Sequence, residues 1–141
     1  MNRPRRVLHL ITRLIVGGAQ ENTILTASAL NSGLAGSGRY SAEIVSGVQT
    51  GPEGSLMDEA GERGIPLTLM PWLVREINPC KDILALLRLR RIMTAPDGAP
   101  AYDIVHTHSS KAGILGRIAA RLARVPVIVH TVHGWSFHDR M

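Results

Sequence analysis

Short apolar runs alternate along this chain with longer amphipathic stretches, and glycines and prolines punctuate them. Val7-Leu8-His9-Leu10-Ile11 follows a basic leader and reads as a buried parallel strand. Gly17-Gly18 fall in the loop behind it. Ala19 to Leu30 places Ile24, Leu25, Ala29 and Leu30 near helical spacing, which predicts a helix ended by Gly33, Gly36 and Gly38. Ser41 to Gly47, carrying Ala42, Ile44 and Val45, predicts a second strand. Beyond the loop Gly51-Pro52-Glu53-Gly54, Ser55 is placed to cap a helix reaching Gly61 or Arg63. Asp58 and Glu59 sit in its early turns, where the helix dipole favours negative charge. Gly64 ends that helix. Ile65 to Met70 predicts a third strand, with Pro66 suited to a strand start or an edge.

Pro79 to Met93 predicts a helix with its proline near the first position. Ala95 to Pro100 is a loop, and Tyr102-Asp103-Ile104-Val105-His106 predicts a fourth strand. Ser109 or Ser110 then caps a helix running to about Ala123, and Val125 to His130 predicts a fifth strand. Strands alternating with helices predict an α/β fold: a doubly wound, Rossmann-like parallel sheet with helices on both faces. The length of 141 residues fits one domain, with no internal repeat or linker. The chain stops at Met141, just past another apparent loop, where such a domain is expected to continue. The sequence therefore reads as a fragment or a truncated frame.

Aromatic residues make up only 4% of the chain against 45% hydrophobic overall, so Leu, Ile, Val and Ala must fill the core. The single cysteine, Cys80, excludes an internal disulfide framework and a cysteine-rich zinc site, and suits a reducing cytoplasm. It lies in Asn78-Pro79-Cys80-Lys81, a helix start, and reads as a structural or surface thiol. The net charge of +5 points to an anionic partner: nucleic acid, a membrane surface or an anionic substrate. No basic stripe alternates with aromatic residues, which argues against nucleic acid. No run approaches the roughly 20 apolar residues of a membrane span, and the first apolar run is too short for a signal-peptide core. These features predict a cytoplasmic protein, with any membrane contact peripheral and on the inner face. The helix around Asp82 to Met93 bears on that contact. It carries Ile83, Leu84, Leu86, Leu87, Leu89, Ile92 and Met93 beside clustered Arg88, Arg90 and Arg91. The plain reading is a core helix with snorkelling arginines; the alternative is contact with anionic lipid.

In an open parallel sheet, ligands bind outside the carboxyl ends of the strands. Gly17-Gly18 after the first strand would let an anion approach the backbone at a helix N-terminus, unless they form a plain tight turn. His106-Thr107-His108-Ser109-Ser110-Lys111-Ala112-Gly113 after the fourth places hydroxyls and a lysine at another helix N-terminus. Such a site suits phosphate or carboxylate, where the alternative is a serine cap beside a solvated lysine. His130-Thr131-Val132-His133-Gly134 after the fifth offers imidazoles that donate a hydrogen bond or carry a proton near neutral pH. His106 and His108 would point to one side of a strand, and with His130 and His133 could form a metal site. No carboxylate other than Asp103 accompanies them, which weighs against metal. Dinucleotide binding fails on both counts: the first turn has no third glycine, and the second strand ends in Val45-Ser46-Gly47 rather than an acid.

Val16-Gly17-Gly18-Ala19-Gln20, His106 to Gly113 and Thr131-Val132-His133-Gly134, in this order, resemble glycosyltransferase family 4, retaining enzymes of the two-domain GT-B architecture. The resemblance covers Val7 to about Asp139. It implies that residues 1–141 form the N-terminal, acceptor-side domain, incomplete at its C-terminus, with the donor-binding C-terminal domain absent. It implies that Gly17 and Gly18 lie against the donor diphosphate and that His133, the catalytic candidate, lies by the transferred sugar. His108, Ser109, Ser110 and Lys111 would line the acceptor side. The implied partners are a nucleotide-sugar donor and a glycan or polyprenyl-linked acceptor, with no cofactor and no catalytic metal. Much of the charge stabilisation in the family comes from the other domain, so this chain alone is expected to be inactive. Two alternatives stay open: a non-catalytic Rossmann-like binding module, and a metal-dependent hydrolase built on the histidines.

Overall fold

A computed structural model of the chain describes residues 3–14, 18–33, 38–48 and 57–132. Five strands alternate with four helices: β1 (Arg5–Arg13), α1 (Gly18–Ser32), β2 (Tyr40–Gly47), α2 (Met57–Glu62), β3 (Leu67–Met70), α3 (Pro79–Ile92), β4 (Ile104–His108), α4 (Ser110–Leu122) and β5 (Val127–Thr131). All strand pairs are parallel, in the order β3-β2-β1-β4-β5. The doubly wound α/β sheet expected from the sequence is the fold.

β1 is central, and its alternating side chains build two cores. Leu8 and Leu10 join Ala85 and Leu89 of α3, Met93 just after it, and Ala112, Ala119 and Ala120 of α4. Val7 and Ile11 join Ile24 and Ala27 of α1 and Ala60 of α2 on the opposite face. A strand covered on both faces has no polar side, which is why this run is almost continuously apolar.

β1 begins two residues before the predicted start, because its basic leader is anchored. Arg6 donates its backbone N–H to Asp103 at 2.8 Å, and its guanidinium reaches Glu43 at 3.2 Å and lies 4.6 Å from the centre of the Tyr102 ring. These same contacts occupy Tyr102 and Asp103, so β4 starts at Ile104 rather than Tyr102. β3 and β5 each start just after a proline, Pro66 and Pro126, residues with no N–H for a ladder. Asn78 caps α3, its Oδ1 accepting from the Lys81 N–H at 3.1 Å with Pro79 in the first helical turn. Ser55 lies outside the described residues.

Two glycines allow close approach beside the site. A Cβ at Gly116 would sit 2.5 Å from Leu10 Cδ2 and 2.6 Å from Thr107 Cγ2, so its absence seats α4 tightly against β1 and β4. A Cβ at Gly47 would sit 2.1 Å from the Leu73 carbonyl oxygen and 2.3 Å from that of Thr12. Among the described residues no helix is long and apolar enough to cross a membrane.

Candidate functional site

α1 leaves β1 toward one face of the sheet, while α4 leaves the neighbouring β4 toward the other. The chain parts at this switch point, and a crevice opens at the carboxyl ends of β1 and β4. The crevice holds a cavity of about 440 Å³ lined by Ile11, Thr12, Arg13, Gln20, Arg75, Ser109, Ser110 and Lys111. Three of these residues are cationic and none is acidic. The first turn of α4 opens on it, adding the positive end of a helix dipole.

Thr12 organises this crevice. Ser109 holds the N-cap position of α4, yet its side chain makes no capping bond. The Ala112 N–H instead donates across the crevice to Thr12 Oγ1 at 3.2 Å, and the Thr12 and Ser109 hydroxyls meet at 2.8 Å. The expected serine cap is thus replaced by a threonine from another strand. Ser109 takes φ 66° and ψ 165°, a region close to glycine-only that costs about 1–3 kcal/mol. The surrounding bonds hold it there.

Lys111 turns toward the N-terminus of α3, where its Nζ meets Asp82 Oδ1 at 2.6 Å and the Glu76 carbonyl oxygen at 2.5 Å. This ties the two helices together on the cavity wall. Ser109, Ser110 and Lys111 therefore gather as the sequence anticipates, whereas His108 does not line the cavity. It is 1% exposed and packs beneath, on the α1 side of the sheet. Gly18 opens α1 in free space, where a Cβ would meet nothing within 4 Å. Gly17 and His133 lie outside the described residues.

The histidines group differently from the sequence expectation. His9 and His106 are direct partners in the β1–β4 register, and His108 lies two residues on, so the three rings share one face. His9 Nδ1 and His108 Nε2 are 3.1 Å apart, and His106 Nε2 meets Thr131 Oγ1 at 2.6 Å. Burial, aided by neighbouring His106, pushes His9 down to about 3, so its ring is neutral at physiological pH. His130 does not join them. It pairs in register with Thr107, faces α4, and places Nδ1 2.8 Å from Thr107 Oγ1.

Sequence reasoning missed Thr12, Arg13 and Arg75. The first two lie at the end of β1, where the strand-end rule alone would have found them. Arg75 comes from the irregular segment after β3, which carries no local motif.

The chain is similar to known proteins in both sequence and fold. It is 46% identical over 91 residues to a UDP-Gal:alpha-D-GlcNAc-diphosphoundecaprenol alpha-1,3-galactosyltransferase of Escherichia coli, a match taking in 64% of this chain and 21% of the relative. Its fold is similar to that of a UDP-N-acetylglucosamine 2-epimerase, with TM-score 0.60 and 16% identity over 93% of this chain and 32% of that one. MurG of Acinetobacter baumannii is also similar, with TM-score 0.53 and 19% identity over 90% of this chain and 34% of that one. The chain thus spans about a fifth of the curated relative it matches and about a third of each of these structures. At these identities the two structures speak for the fold alone, but the sequence profile of one family runs from the start of β1 through the last residue. By that match over residues 5–141, the chain belongs to the glycosyl transferase 4-like domain family.

Proposed function

We propose that this domain forms the acceptor side of a retaining, two-domain enzyme that transfers a hexosyl unit from a nucleotide-sugar to a glycan or polyprenyl-linked acceptor. The observation that carries the reading is the cavity at the switch point, which joins Arg13, Arg75 and Lys111 to the first turn of α4 and has no carboxylate among its described lining residues. Such a lining suits a diphosphate. The relative in Escherichia coli is named for a UDP-sugar donor and a diphosphoundecaprenol-linked acceptor, both of which carry one.

In this reading the acceptor hydroxyl oxygen forms the new glycosidic bond as the bond from the sugar to the donor diphosphate breaks. The hydroxyl proton passes to the departing diphosphate. Gly17 and Gly18 lie against that diphosphate and His133 lies by the transferred sugar. Ser109, Ser110 and Lys111, with Thr12, Arg13 and Arg75, hold the acceptor, and His108 supports the strand end beneath them. Donors fixed where charge develops lower the barrier, and a second domain supplies the remainder, so the chain alone is inactive.

Peripheral membrane contact fits the same acceptor. The outer face of α3 exposes Ile83, Leu84 and Leu87 by 59%, 47% and 56%. Arg88, Arg90 and Arg91 flank them, giving apolar and cationic groups that suit an anionic lipid surface.

The test is a graft. The chain replaces the matching segment of the Escherichia coli relative, and transfer from UDP-sugars to a diphosphate-linked lipid acceptor is assayed beside the chain alone. Transfer by the graft, with none by the chain alone, is the expected result. A correctly folded graft that neither binds nor glycosylates the acceptor overturns the reading.

A further inference from the structure

His9, His106 and His108 form a cluster of which the sugar-transfer reading uses only His108, as a support for the strand end. They come from adjacent strands, share one face, and each offers a ring nitrogen within 4.8 Å of the others. We propose that these three imidazoles bind a single zinc-class divalent ion that clips β1 to β4 beneath the crevice. The proposal stands independently of the transferase reading.

The spacing is close to that of a coordination site. Tetrahedral ligation at a Zn–N bond of about 2.0–2.1 Å puts ligand nitrogens about 3.3 Å apart and ring centres about 5 Å apart. His9 Nδ1 and His108 Nε2 are 3.1 Å apart. The ring centres of His9 lie 5.0 Å from His106 and 5.4 Å from His108, and those of His106 and His108 lie 4.2 Å apart. Two of the three ring separations already match, and the third needs under about 1 Å of ring movement.

The hydrogen bonding points the same way. A neutral imidazole has one donor and one acceptor nitrogen. His9 spends Nδ1 on His108, and its Nε2 is buried with no hydrogen-bond partner. An ion on Nδ1 takes the place of that bond and fixes the ring proton on Nε2. In the proposed site His106 Nε2 keeps Thr131 Oγ1, at 2.6 Å, and Nδ1 takes the ion. Metal-binding histidines are oriented in this way, through the second ring nitrogen. Among the described residues the donor set is three nitrogens with no carboxylate or thiolate, which suits zinc, nickel or copper rather than calcium or magnesium. His106 is only half-buried, so a water can complete the shell from its side.

Untagged, metal-stripped protein titrated with Zn²⁺ alone should take up one equivalent by calorimetry, and Co²⁺ should give the intense visible bands of a tetrahedral site. His9→Asn, His106→Asn and His108→Asn should each weaken Zn²⁺ binding by more than about 10-fold. The double variant His133→Asn/His138→Asn should bind as wild type does. Wild-type protein that takes up no stoichiometric Zn²⁺ overturns the proposal. So does a weak octahedral Co²⁺ spectrum, or binding that is lost in the His133/His138 variant and kept in the triad variants. The wild-type spectrum decides the matter even where a triad variant misfolds.

Discussion

Thr12 at the end of β1 and Ser109 after β4 join hydroxyls 2.8 Å apart, and through this contact a residue of one strand caps the helix that follows another. Thr12→Val keeps the shape and removes both bonds. It is expected to cost about 1–2 kcal/mol, the scale of a lost helix cap, read as a lower denaturant midpoint at unchanged m-value. Ser109→Ala should cost less, because the Ala112 N–H keeps its Thr12 acceptor.

Gly47→Ala should be among the most damaging small changes in the chain. The new methyl meets two backbone carbonyls, those of Leu73 and Thr12, and neither can swing aside like a side chain. A loss of about 3 kcal/mol is expected, from thermal or urea unfolding. Gly61→Ala is the control: its Cβ meets nothing within 4 Å in α2, and it should stabilise by about 0.5–1 kcal/mol.

Asp103 gives the domain an acid limit. Its hydrogen bond from Arg3, aided by the Arg6 N–H and the charges of Arg3 and Arg5, holds the carboxyl below its ordinary value of 3.8. The folded value is the lower one, so the contribution is present above pH 3.8 and is lost as pH falls through the folded value. Urea midpoints measured from neutral pH to pH 2 should fall more steeply for wild type than for Asp103→Asn, with the two curves converging at the acid end.

Arg75 and Lys111 line the same cavity in different structural settings. Arg75 comes from an irregular segment, so Arg75→Ala should weaken binding of inorganic diphosphate by about 1.5–3 kcal/mol with little change in Tm. Lys111 also ties α4 to Asp82 of α3, so Lys111→Ala should lower both affinity and Tm. Calorimetry and thermal unfolding on the same samples separate the two.

Replacing Arg88, Arg90 and Arg91 together by Ala should reduce co-sedimentation with phosphatidylserine vesicles at moderate salt. At about 1 kcal/mol for each arginine near the surface, the loss should exceed 10-fold. Unchanged sedimentation would remove α3 from any membrane-facing role.

The strands and helices were legible because burial imposes local patterns: a continuous apolar run for β1, helical spacing with Asn78 and Pro79 for α3. The gathering of Ser109, Ser110 and Lys111 at a strand end followed from the topology that those patterns implied. What stayed hidden depends on register between distant strands. Whether His9 or His130 joins His106 and His108 turns on Thr107 standing opposite His130, a pairing that no local window contains. The Thr12 cap was hidden for the same reason, while the early start of β1 came from ion pairs that run against the hydrophobic signal.

The bond between Thr12 and Ala112 spans 100 residues of sequence. During synthesis β1 is therefore made long before its helix partner leaves the ribosome, and the crevice has no floor-to-wall contact until most of the chain has emerged. Contacts of such separation are slow to form, so the crevice should be among the last parts of the molecule to mature and among the first to be compromised when folding is hurried.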